Sequence, residues 1–308
     1  MKLGDNMKKF GLVILLILLG ITYFNKDTIV LYVVQKVLFK GTTNLELNEY
    51  YKNDDFKLAQ NTTNLTPTNK NDFNNIFYTI LNSGMDEVVI YCSNDYENCI
   101  NDFNNYTRNS DEIEAINNYV DPFNSFKNIA VSTDSFNRIQ INITKAYTEE
   151  EIKLINSAID KYIKENINSS MSEREKIKVF HDYIINNTKY DNNYHIDTNK
   201  NDYPASPYNA YGVLFENKAI CGGYSDVMAI YLDKIGIKNY RIASNVHMWN
   251  YVYIDNNWYH LDLTWDDPVT NTGEDILIYD FFLINNEQLE SKENSQHEYN
   301  KKLYLETN

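Results

Sequence analysis

Apolar and polar positions change rhythm several times along this chain, and each change marks an expected element. The first is an unbroken apolar run, Phe10 to Phe24 (FGLVILLILLGITYF), behind Lys8 and Lys9. Such a run has the charge and hydropathy of a secretory signal or of a membrane anchor. Thr22-Tyr23-Phe24-Asn25 offers bulky groups where a cleavage site wants small ones, so an uncleaved anchor is expected and a removed signal is the alternative. As a helix the run would span about 22 Å against a hydrocarbon core of about 30 Å, leaving snorkelling lysines or local thinning to supply the rest. Lys2, Lys8 and Lys9 favour a cytoplasmic N-terminus, although Lys26, Lys36 and Lys40 blunt the bias. Both readings put the remaining chain outside the cytoplasm. Thr28 to Phe39 is also apolar but is broken by Gln35 and Lys36, as in a juxtamembrane helix or strand.

Tyr51 to Asp72 is polar, carries Pro67 and shows no sustained period, the pattern of a linker. Phe73, Ile76, Phe77, Ile80 and Leu81 then recur at helical spacing and stop at Gly84. Asp86 to Cys92 reads as a strand and Asp111 to Tyr119 as a helix. Strands follow near Asn128 to Thr133 and Arg138 to Tyr147, where Ile139, Ile141 and Ile143 alternate. Ile152, Ile155, Ile159 and Ile163 mark a helix with three glutamates in its first turn, where the macrodipole favours acids. Ser172 and Glu175 form a capping box ahead of Ile177, Phe180 and Ile184, on a helix that also carries His181 and Asp182. The expected organisation is an anchor and juxtamembrane segment over 1–40, a linker over 41–72, a small α/β module over 73–168 and a second domain over 169–308. The fold class is α+β.

Composition narrows the partners. The chain has 308 residues, 43% hydrophobic and 23% charged, ordinary values for a folded protein. Lys and Arg number 28 against 43 Asp and Glu, a formal charge of -15 that opposes the phosphate neutralisation needed for sequence-independent nucleic-acid binding. Nucleic acid is set aside as a partner; oligomeric state is not legible. Asn is so abundant that sequons such as Asn61, Asn105 and Asn142 arise by chance. Cys92 and Cys99 enclose a short loop that a disulfide would stabilise by about 2.5 kcal/mol on the chain-entropy model, an option open to an exported chain. Free thiols are the alternative.

The third cysteine carries the chemistry. After Cys221, Met228, Tyr231, Leu232 and Ile235 keep helical spacing until Gly236, which puts Cys221 at or just before a helix N-terminus. Unpaired N–H groups and the helix dipole favour an anion there, and so a thiolate. Gly222 and Gly223 would keep the turn bare for a substrate carbonyl, and the Cys221 N–H could help hold an oxyanion.

Downstream, His247 to Ile254 and Trp258 to Trp265 are strand-like around Asp255-Asn256, a pair suited to a two-residue turn in left-handed conformations. That turn pairs Ile254 with Asn257, Trp249 with Asp262 and His247 with Thr264. His247, Trp249, Asp262 and Thr264 then share a face, with His247 diagonal to Asp262 at about 7 to 8 Å between backbone positions. An odd loop would put His247 and Asp262 on opposite faces. His260, two residues before Asp262, is a competitor for the imidazole role, more simply read as a partly exposed strand residue. A zinc site from Cys221, His247 and His260 lacks a paired ligand motif.

Three motifs stand in order: Cys221-Gly222-Gly223-Tyr224 opening a helix, His247-Met248-Trp249-Asn250 opening a strand, and Asp262-Leu263-Thr264-Trp265-Asp266 closing the hairpin. Together with Asn209 to Leu214 upstream, they resemble the transglutaminase-like superfamily of papain-like thiol enzymes over roughly Ser172 to Tyr299. The resemblance implies a nucleophile helix packed on an antiparallel sheet, with Cys221 as nucleophile, His247 as general base and then acid, and Asp262 orienting the imidazole. Gly222, Trp249 and Asn250 are expected to border substrate. The chemistry implied is acyl transfer from a protein or peptide amide through a thioester, with no metal or organic cofactor. For an exported protein, hydrolysis of peptide or cell-wall peptide amides is favoured over cross-linking. A member that has lost activity and serves as an extracellular scaffold is the rival reading.

Overall fold

The computed structural model describes residues 20–33, 43–108, 110–134, 136–192, 206–269, 276–292 and 294–307. Most of the apolar run Phe10 to Phe24, and the second half of the stretch Thr28 to Phe39, lie outside them. Residues 20–24 and α1 (Lys26–Val33) are helical, and among the described residues no helix is long and apolar enough to cross a membrane.

The first folded unit is α2 (Asp72–Asn82), β1 (Glu87–Tyr91), α3 (Cys99–Arg108), α4 (Ser110–Tyr119), β2 (Phe126–Thr133) and β3 (Arg138–Lys145). Its three strands form an antiparallel sheet in the order β1-β3-β2. Helix α2 buries Phe73, Ile76, Phe77, Ile80 and Leu81, the stripe its periodicity requires, and Gly84 follows at φ +73°, a left-handed conformation that glycine adopts without strain. Helix α3 had no reading of its own from the sequence. Its signal is sparse: Cys99, Phe103 and Tyr106 are its buried residues, spaced four and three apart in an otherwise polar stretch. Cys92 and Cys99 form a disulfide with a Cα–Cα distance of 5.9 Å.

The second unit contains α5 (Glu149–Asn166), α6 (Glu173–Asn187), β4 (Lys189–Tyr190), β5 (Lys218–Ala219), α7 (Cys221–Lys234), β6 (Asn239–Ala243), β7 (Met248–Ile254), β8 (Asn257–Leu261), the single turn α8 (Leu263–Asp266) and α9 (Asn286–Ser291). Ser172 and Glu175 make the expected capping box at α6, and Thr148 and Glu151 make another at α5. Strands β6-β7-β8 are antiparallel in chain order. Asp255 and Asn256 occupy the left-handed region at φ 52° and 60°, and Ile254 pairs with Asn257; this is the two-residue turn read from the sequence. The second strand is shorter than expected. It ends at Leu261, because Asp262 N-caps α8 and accepts from the Thr264 and Trp265 N–H groups, so Thr264 sits in a helical turn rather than opposite His247.

One core joins the two units, and it corrects the linker. Phe56, Ala59 and Leu65, from the stretch 41–72, are buried in one cluster with Phe73, Phe77, Tyr119, Tyr240, Ile242, Trp249, Tyr251 and Tyr304. Three apolar side chains without a period are enough to pin a polar segment, and periodicity cannot find them. The same cluster crosses the boundary between 168 and 169. Sheet β6-β7-β8 therefore buries one face against the first unit, while Val252, Ile254 and Leu261 on the other pack with Val227, Met228 and Tyr231 of α7 and Phe180 of α6. Buried Arg241 crosses between the layers, bonding Asp226 of α7, Ser125 Oγ at 2.7 Å and the Asn117 carbonyl at 2.7 Å.

Candidate active site

Cys221 is the first residue of α7, after Ile220 in extended conformation at the N-cap. Its thiol is free and partly exposed. The glycines beside it have a different task from the one expected. A Cβ on Gly222 would lie 2.8 Å from the Tyr208 carbonyl oxygen, and one on Gly223 would lie 2.9 Å from that of Pro207. They let the helix N-terminus press against the turn Ser206–Tyr208, and Gly222 is buried, so it does not border substrate.

His247 closes a tight turn: the Ser244 N–H donates to the His247 carbonyl at 2.9 Å, and the His247 N–H donates to Ser244 Oγ at 3.0 Å. Its Nε2 lies 2.5 Å from Asp262 Oδ2. That leaves Nδ1 as the ring nitrogen for the sulfur. Burial works against a charged His247, but the Asp262 carboxylate beside it and hydrogen bonding with Cys221 outweigh burial and lift the imidazole to about 10. Its favoured form near neutrality is imidazolium.

Asp262 is held by four donors. Oδ1 accepts from the Thr264 and Trp265 N–H groups at 2.9 and 3.2 Å, and Oδ2 accepts from His247 and from His297, the latter at 2.8 Å. Burial alone would raise this carboxyl. The His247 charge, with hydrogen bonds from both imidazoles, instead holds it well below the usual carboxylate range, as expected where hydrogen bonds favour the charged form.

Two other sequence expectations are corrected. His260 is 1% exposed. Its Nδ1 accepts the Trp249 Nε1–H at 3.0 Å and its Nε2 lies 2.8 Å from Asn286 Oδ1; burial pushes it down to about 3. It is a neutral core residue, turned away from any zinc set with Cys221. Trp249 and Asn250 are each 1% exposed, which takes them out of contact with substrate. Trp249 stacks on the His247 ring, centroids 5.6 Å apart, and Asn250 Nδ2 donates to the Ser225 carbonyl at 2.9 Å, so both act as supports.

Two neighbours of the site escaped sequence reasoning. Tyr190 pairs with Ala219 across β4 and β5, and its hydroxyl is raised by burial and then by the nearby charges of Cys221 and Asp262. His297 arrives from the turn Ser295–His297. One ligand atom each from His247, Asp262 and His297 lies within 4.8 Å of the others, a spacing that could hold a metal ion. The contacts of 2.5 and 2.8 Å to one oxygen are already accounted for as charge-assisted hydrogen bonds. A cleft of about 770 Å³ borders His297 and the Ser244 turn, with Asp111, Glu114, Glu290 and Glu298 among its walls.

A thiol at a helix mouth, an imidazole against it and a carboxylate behind make the arrangement of an activated nucleophile. Residues 160–263 match the family model of the transglutaminase-like superfamily. The chain carries a transglutaminase-like domain. The match begins within α5, ahead of the boundary expected at 169, and ends at Leu263. No curated protein matches the chain. Among solved structures, the crystal structure of a TGase is similar at 21% identity and a TM-score of 0.33, covering 46% of this chain and 44% of that one. The chain thus spans less than half of that protein, and the likeness is too slight to argue from.

Proposed function

We propose that the protein is a thiol enzyme that cleaves or transfers peptide amide bonds through Cys221, His247 and Asp262. The observation that carries the proposal is the 2.5 Å contact of His247 Nε2 with Asp262 Oδ2, made by a ring that also hydrogen-bonds Cys221, a half-buried residue with a free thiol. The Cys221 thiolate attacks the amide carbonyl, and the tetrahedral intermediate collapses as imidazolium His247 protonates the leaving amine. The thioester left on sulfur is then attacked by water, or by a second amine, with His247 taking the proton. Asp262 keeps the imidazole oriented and stabilises its charged form.

Hydrolysis of peptide or cell-wall peptide amides at the cell surface is the favoured variant. The disulfide Cys92–Cys99 supports an oxidising compartment, and the apolar run behind Lys8 and Lys9 supports a single-pass anchor with the folded part outside the cytoplasm.

The deciding experiment incubates the purified protein with a thiol-reactive peptide-amide probe. Labelling should be complete in the native protein and absent in Cys221→Ala. Equal labelling of the two would leave an inactive scaffold as the better reading. A peptide offered together with a fluorescent amine then separates the outcomes: release of free carboxylate indicates hydrolysis, and amine incorporation indicates transfer.

A further inference from the structure

His297 lies outside the matched range 160–263, in a stretch with no apolar period. Yet it is 5% exposed, and its ring is fixed on three sides. It stacks on Phe281 with centroids 4.8 Å apart and planes 13° apart, meets Trp249 edge-on at 4.8 Å, and has Trp265 at 5.6 Å. Its Nε2 lies 2.8 Å from the same Asp262 oxygen that His247 contacts at 2.5 Å. Among the described residues, its Nδ1 is buried without a hydrogen-bond partner. A partner that is a carboxylate requires the proton on Nε2, and this tautomer leaves a bare lone pair, not an unmade donor, at Nδ1.

The geometry of Asp262 gives this contact a purpose. Oδ1 is fixed by two backbone N–H groups, but a carboxylate anchored at one oxygen can still swing the other. A single imidazole on Oδ2 would move with it, and in this site that imidazole is the one facing sulfur. A second, immobile imidazole on Oδ2 removes the swing.

We propose that His297 is a positioning residue, a fourth member of the site, which locks the Asp262 carboxylate so that His247 stays in line with Cys221. The proposal rests on the reading of Cys221 as the nucleophile. It separates the donor function of His297 from its bulk, and two substitutions divide them. His297→Phe keeps the ring and the stack on Phe281 but deletes the N–H. His297→Gln loses the ring but retains an amide N–H able to reach Oδ2.

The test is the rate of Cys221 alkylation by iodoacetamide at pH 6, located by peptide mass; Cys92 and Cys99 are bonded to each other and do not compete. The expected order is native and His297→Gln alike, with His297→Phe roughly 10- to 100-fold slower, the scale of losing one hydrogen bond to a charged group. The opposite order, Phe silent and Gln slow, would make His297 a packing residue and overturn the proposal alone. A native Cys221 that reacts no faster than free cysteine would overturn the nucleophile reading and this one with it.

Discussion

Two imidazole–carboxylate clusters hang from one helical turn, α8. At its start Asp262 receives His247 and His297; at its end Asp266 receives His181, whose Nε2 lies 3.1 Å from Asp266 Oδ2 and whose Nδ1 lies 3.0 Å from Asp182 Oδ1. Asp262, His247, His297, His181 and Asp266 are buried, and Asp182 is half-buried. His181 is stacked on Tyr279 and edged by Phe282, and among the described residues no sulfur reaches it. The carboxyls also diverge. Asp266 has one imidazole and one backbone donor, Phe281 N–H at 2.8 Å, and burial wins, raising it. Asp262 has four donors, and burial loses. The His247 charge together with the donors around Asp262 overcomes burial, whereas the weaker support around Asp266 does not; on the proposed function, the neighbouring thiol makes the first pair chemistry and leaves the second as mortar.

Substitutions can break this contrast, starting with the largest effect. Asp262→Asn should lower the rate of the amide-probe reaction by about 10³- to 10⁴-fold, since the amide supports the wrong tautomer of His247; a rate within a few-fold of native would place both clusters in the same structural class. His181→Phe should act in the other sense. Stripping the partner from buried Asp266 should cost about 3 kcal/mol in chemical denaturation and leave Cys221 labelling unchanged; a matching loss of labelling would show that the two ends of α8 are not independent.

The smallest effect is a slope with pH. His247 is raised from 6.5 to about 10, so between those values the folded protein holds a proton that the unfolded chain has released, and stability falls as pH rises. His260 is lowered from 6.5 to about 3, so in that window the unfolded chain holds the extra proton and stability rises with pH. The two slopes meet near pH 6.5, each no steeper than about 1.4 kcal/mol per pH unit. Buried Asp121, raised from 3.8 to about 8, adds a falling slope that opposes the one from His260, so the test is a difference between variants: His247→Gln should flatten the fall between pH 6.5 and 10 and leave the acid side unchanged. An unchanged alkaline slope in that variant would remove His247 from the account.

The local features of the site were legible because local rules encode them. A helix stripe ending at Gly236 placed Cys221, and an Asp-Asn turn with period-two flanks set the hairpin register from Ile254–Asn257 to Asn250–Leu261, short of the expected Trp249–Asp262 and His247–Thr264 pairs. What failed was everything fixed by distant packing. His297 stands 35 residues beyond Asp262, and no spacing connects them. His260 looked half exposed because the layer covering it, with Asn286 and Tyr299, comes from later in the chain. Gly222 and Gly223 were read as room for substrate, since sequence does not show the Pro207 and Tyr208 carbonyls that fill that room.

The aromatic cluster that runs from Phe56 through Tyr240 to Tyr304 ties the fate of the first unit to that of the site. Strands β6 to β8 have no solvent face to fall back on, so the two units cannot swing apart like hinged lobes without stripping the sheet that carries His247. Melting should be cooperative across both. On the proposed function, a peptide would then have to reach the sulfur without the two units parting, with the body of the protein acting as a rigid anvil.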